Sequence, residues 1–92
     1  MLKLEDLNGN NVGDIINFKD VTDFIEQVDI IDSEPLACEV VLAGSVSLNN
    51  SVIYELTAAG AVIPVVITSI EPDEITNRTI VNLQQAGPIR DA

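Results

Sequence analysis

The first eighteen positions alternate loosely between apolar and polar residues, in two runs, Leu2 to Leu7 and Val12 to Phe18, separated by Asn8-Gly9-Asn10-Asn11. Asn-Gly sequences supply the positive φ angles of a tight hairpin loop, so the pattern predicts two strands and a short connection. Asp14 shares a side with Val12, Ile16 and Phe18 and is expected at the exposed start of the second strand. From Asp20 the period changes. Val21, Phe24, Ile25, Val28 and Ile31 recur at three- and four-residue steps, which predicts a helix with one apolar stripe. Asp20 suits its N-cap, and Asp23 suits the positive end of its dipole. Asp23, Glu26 and Asp29 fall on the side away from the stripe.

Ser33-Glu34-Pro35 ends that pattern, and Leu36 to Leu48 predicts a strand whose centre, Val40-Val41-Leu42, is apolar on both faces. Asn49-Asn50-Ser51 is a turn or a helix cap. Val52 to Ala59 fits a two-turn helix stopped by Gly60, although the alternation of Val52, Tyr54 and Leu56 also permits a hairpin strand. Ala61 to Ile70 predicts a second buried strand, with Pro64 implying an edge position or a bulge. Pro72, Asp73 and Glu74 resemble a helix start and Gly87 a stop, with Ile75, Thr79, Leu83 and Ala86 on one stripe. The resulting order is ββαβαβα: a single α/β domain over residues 1–92 with a small mixed sheet. A mostly antiparallel β fold with one or two helices is the alternative. In the α/β arrangement Val21, Phe24, Ile25 and Val28 pack against Val40, Leu42, Val65 and Ile67.

Composition narrows the chemistry. Four Lys or Arg against fifteen Asp or Glu give a net charge of -11, which disfavours nucleic acid and anionic lipid and suits a basic protein partner. Solubility alone also accounts for such a charge. There is no histidine, so Ser-His-Asp and Cys-His nucleophilic arrangements are excluded and the commonest zinc ligand is missing. The glycines form no phosphate-cradling cluster. Asp6 to Asn10 faintly resembles the start of a calcium loop, but Asn11 stands where glycine is required and Asn17 where a closing Glu should be. Asp20 and Asp23 are better placed as helix-terminal charges than as a proton-transfer pair. No catalytic residue, metal or cofactor is therefore expected. The lone cysteine, Cys38, sits among Leu36, Val40 and Leu42 and is expected to be a buried hydrophobe. Met1-Leu2-Lys3-Leu4 runs straight into acidic residues, so a cytoplasmic location is expected. The apolar run from Ala58 to Ile67 is too short for a span of roughly twenty residues, so no membrane insertion is expected.

With that element order, several segments resemble the STAS family, the fold of anti-sigma factor antagonists. Gly13-Asp14-Ile15-Ile16-Asn17-Phe18 is similar to the family's strand before its amphipathic helix. Val40-Val41-Leu42 followed by Val46-Ser47-Leu48-Asn49-Asn50-Ser51 resembles its strand and switch segment, and Leu83-Gln84-Gln85-Ala86-Gly87 its closing pattern. The resemblance implies a regulatory protein-binding module. Two departures bear on its control: Asn49-Asn50 replaces the family's Asp-Ser, so only a shift onto Ser51 would restore a phosphorylatable residue, and the second helix is short.

The sequence thus points to a small, acidic, non-catalytic protein-binding module with a regulatory or assembly role. Its candidate partner-binding residues are Asn49, Asn50 and Ser51 in the polar turn, with Asp23, Glu26 and Asp29 on the helix. The alternatives are a structural subunit of a virion or shell that forms a homo-oligomer through sheet edges, and an acidic inhibitor or immunity protein covering a basic surface.

Overall fold

The structure, a computed structural model, describes residues 2–19, 37–58, 60–88 and 90–91. The described residues are all β. The strands are β1 (Lys3–Glu5), β2 (Ile15–Lys19), β3 (Ala37–Ala43), β4 (Ile53–Ala58), β5 (Ala61–Asp73), β6 (Arg78–Gln85) and β7 (Arg90–Asp91). They form one sheet in the order β1-β4-β5-β6-β3-β2, every pairing antiparallel, curled into a half-barrel, with β7 added to β5.

This overturns the α/β expectation and its mixed sheet. The segment 52–59, expected to be helical, supplies β4, and the helix expected from Pro72 to Ala86 is instead the end of β5, a turn and β6. Val81 explains the second reversal. Thr79, Val81 and Leu83 alternate on one face and are fully buried, a period of two that places β-branched side chains well on a pleated surface. Among the described residues there is no helix. The helix expected from Asp20, with Val21, Phe24, Ile25 and Val28, lies outside the described residues, as do Asp23, Glu26 and Asp29.

Side chains opposite one another across the ladder build the core. Leu4, Leu56 and Ile63 stand side by side across β1, β4 and β5; Cys38, Leu83 and Ile67 do so across β3, β6 and β5; Val40 faces Val81. Most of these are inaccessible to solvent and belong to one cluster, completed by Leu42, Tyr54 and Val65. Complete burial of one such aliphatic side chain is worth about 1.5–3 kcal/mol, so this cluster dominates the stability of a chain poor in aromatic residues. Cys38 belongs to it as a small hydrophobe and is buried, as its neighbours in the sequence imply. Pro64 sits where β6 hands over to β7. Val65 pairs with Gln85, Val62 pairs with Arg90, and between them the Pro64 carbonyl accepts a hydrogen bond from Ala86 N–H at 2.8 Å. The missing N–H of proline therefore falls in a break of the ladder, where it costs no pairing.

The expected pairing of the two N-terminal strands does not form. β1 joins β4 at one edge of the sheet and β2 joins β3 at the other. Between them only Glu5 bridges Asn11, with Val12 N–H donating to the Leu4 carbonyl at 3.1 Å, before the chain crosses to β3. An extra residue, Ile16, breaks the alternation of β2, so that Ile15 faces Leu42 and Phe18 faces Val40. Antiparallel order brings the ends of β1 and β3 and the starts of β2, β4 and β6 to one end of the half-barrel. The links 6–14 and 44–52 and the turn 74–77 all emerge there.

Candidate functional site

Two links meet at that end. In the first, Asp6 organises its own turn: Oδ1 accepts N–H bonds from Asn8 at 2.8 Å and Asn10 at 3.0 Å, and Oδ2 lies 3.4 Å from the Asn10 side-chain amide. The Asp6 N–H donates to the Asn10 carbonyl, and Gly9 N–H to the Asp6 carbonyl. Gly9 takes a φ of 84°, which a side chain would resist. The N–H groups of Asn10 and Asn8 hold the Asp6 carboxyl below the usual aspartate range, partial desolvation opposing them. The turn anticipated from Asn8-Gly9 is therefore present, and its shape fixes Leu7 outward.

The second link is anchored at its start by Thr79, the one fully buried polar residue of the described core. Its hydroxyl donates to the Gly44 carbonyl at 2.9 Å and accepts from Val46 N–H at 3.3 Å. Val46 and Leu48 pack against the core while Ser45, Ser47 and Asn49 point out. At its far end, Asn49 Oδ1 accepts from the Ser51 N–H at 2.9 Å and from its hydroxyl at 2.6 Å. Asn49 N–H donates to the hydroxyl of the buried Tyr54 at 3.0 Å. The Asn49-Asn50-Ser51 turn singled out in the sequence is thus a real, side-chain-locked turn, but it leads into a strand and not into a helix. Its backbone N–H groups do not form a helix N-terminus.

Where the two links adjoin, Asp6, Leu7, Asn8, Val52, Ile53 and Tyr54 line an open depression of about 330 Å³. Of the lining residues Tyr54 is 6% exposed, whereas Leu7 is 64%, Val52 42% and Ile53 40% exposed. Three aliphatic side chains held in water around one concavity are the feature that sequence reasoning did not anticipate. Its only signal there is local: Leu7 and Val52-Ile53 directly adjoin turn residues, where polar side chains are the rule.

A second depression, of about 180 Å³, lies beneath the turn 74–77 and is lined by Ser45, Pro72, Asp73, Glu74, Asn77 and Arg78. Arg78 Nε is shut off from solvent without a hydrogen-bond partner. Asp73 accepts N–H bonds from Ile75 at 3.1 Å and Thr76 at 3.3 Å. Hydrogen bonding by Thr76 and Ile75, aided by the charge of Arg78, keeps its carboxyl below the usual range. Among the described residues no three His, Cys, Asp or Glu side chains converge to hold a metal, and no helix is long and apolar enough to cross a membrane. No protein-family model, curated protein or solved structure matches this chain.

Proposed function

We propose that the chain is a non-catalytic protein-binding module whose contact surface is the link end of the half-barrel, centred on Leu7, Val52 and Ile53 and rimmed by the Asn49-Asn50-Ser51 turn. The observation that carries this reading is the convergence of those aliphatic side chains on one depression. Isolated exposed hydrophobes are ordinary, but a cluster around a concavity with a polar rim has the anatomy of an interface core. Both turns are locked by their own side chains, so little conformational entropy would be lost when a partner settles there. Capture from native lysate by the wild type and by a Leu7→Asp, Ile53→Asp double variant tests it. A partner retained by the wild type should be lost by the variant while the two proteins melt alike; equal capture would refute the assignment.

Assembly through sheet edges is the second reading, and β2 is the observation in its favour. It is a terminal strand carrying Ile16 and Phe18 at 55% and 51% exposure. Two features of the same strand oppose added pairing: the irregularity between Ile15 and Asn17, and the Asn17 side chain, whose Oδ1 accepts the Phe18 N–H at 2.9 Å. Solution mass separates the readings, since edge assembly requires a closed oligomer whose formation Phe18→Lys abolishes.

A further inference from the structure

The chemistry around the depression defines its occupant more closely, granted that the link end is a protein-binding surface. We infer that the occupant is a cationic, aliphatic segment of a different protein: one or two leucine-like side chains flanked by Lys or Arg. The walls set the aliphatic part. The side chains of Leu7, Val52 and Ile53 offer no hydrogen bond, and about 330 Å³ is room for one or two branched side chains of the partner.

The charges set the rest. Among the described residues no lysine or arginine lines the depression, and Lys3, the cation on the adjoining strand, lies 3.7 Å from Glu5 in an ion pair. Glu5 stands directly opposite Glu55 in the β1–β4 register, each one residue from a lining residue, so that with Asp6 three carboxylates stand against the cation Lys3 along this edge. Asp6 at the rim spends Oδ1 on two backbone N–H groups but leaves Oδ2 with a single long contact, and a carboxylate oxygen accepts more than one donor. An ammonium or guanidinium above the rim can take up that capacity. A second copy of the chain is a poor occupant, because two molecules of charge -11 repel one another.

The test is a titration of ¹⁵N-labelled full chain, followed by amide shifts, with three blocked tetrapeptides: Lys-Leu-Leu-Lys, Glu-Leu-Leu-Glu and Lys-Ser-Ser-Lys. The first should shift the amides of Asp6 to Asn8 and Ser51 to Tyr54 saturably, at least about fivefold more tightly than either of the others, and should weaken as salt is raised. Ile53→Ser should reduce its affinity by a similar factor while leaving the remaining spectrum in place. Equal binding of the two leucine peptides would overturn the cationic assignment and leave the protein-binding surface standing. Equal shifts from the serine peptide would overturn it too, by reducing the effect to bulk charge. Binding of none of them to these residues would overturn both this inference and the surface on which it rests.

Discussion

The turns at 6–10 and 73–77 are built alike and do different things. Each opens with an aspartate whose carboxylate gathers nearby N–H groups, and each contains a residue in the left-handed region, Gly9 with a φ of 84° and Asn77 with a φ of 54°. Each also pushes an aliphatic side chain into water, Leu7 at 64% and Ile75 at 97% exposure. Yet the second joins two strands that pair with each other along β5 and β6, whereas the first sends its strands to opposite edges of the sheet. Local turn chemistry therefore decides how the chain reverses, and the sheet decides where it goes afterwards. Both adjoin the link 44–52, the second at Gly44 and Ser45 and the first at Val52, but only the depression beside the first is lined by exposed aliphatic side chains.

The largest expected difference lies beneath the turns. Leu83 is flanked on both sides, by Cys38 and Ile67, and Leu4 on one, by Leu56, although both are fully buried. Leu83→Ala and Leu4→Ala should each cost about 2–5 kcal/mol, Leu83 toward the upper end. Urea unfolding measures both, and a larger loss at Leu4 would show that the edge by the first turn is as tightly packed as the sheet centre.

A smaller effect is expected in the turns themselves. A Cβ at Gly9 would meet nothing within 4 Å, so Gly9→Ala tests backbone conformation alone and should cost about 1 kcal/mol. Asn77→Gly should be neutral within about 0.5 kcal/mol, because glycine tolerates the same φ. Chemical denaturation of the pair tests this, and a costly Asn77→Gly would mean that the Asn77 side chain, and not its backbone, holds the second turn.

The smallest effect concerns acid. Asp6 and Asp73 both have carboxyl groups held below the ordinary aspartate range by donated hydrogen bonds, so the fold favours their ionised forms. Their contribution is complete above the unfolded-state value, near pH 4, and is lost as pH falls through the lower folded values. Both groups are exposed, so the change in Tm should be slight. Asp6→Asn and Asp73→Asn should each flatten the acid limb of a plot of Tm against pH. An unaltered limb for either would show that its turn is held by backbone bonds alone.

These turns also explain what could be read in advance. Asn8-Gly9 announces a reversal, and the aliphatic runs of β3 and β5 announce strands, because both signals depend on neighbouring residues only. Pro72-Asp73-Glu74 predicts a helix start because proline followed by acidic residues suits a first helical turn, but the same residues suit a tight turn, where Asp73 collects the N–H groups two and three residues on. The spacing of Thr79 and Leu83 does not discriminate either, since residues four apart share a face in both structures; Val81, buried between them, does. The separation of β1 from β2 is a property of long-range pairing and has no local signature. The candidate site was legible only in part: the Asn49-Asn50-Ser51 turn is visible in the chain, but its meeting with Leu7 depends on that same long-range arrangement.

The strand order carries a kinetic consequence. β4, β5 and β6 form a meander of sequence neighbours, so their contacts close short loops, while β1 reaches β4, and β3 with β2 on its far side reaches β6, only by long-range pairing. Loop closure over greater separations is slower, so the meander is expected to assemble first and the edges to arrive late. The bond from Val12 N–H to the Leu4 carbonyl, which ties the late-arriving edges together, then belongs to the last step. Loss of that tie would change the unfolding rate more than the folding rate, and the depression beside it would come into being only when the chain is otherwise native.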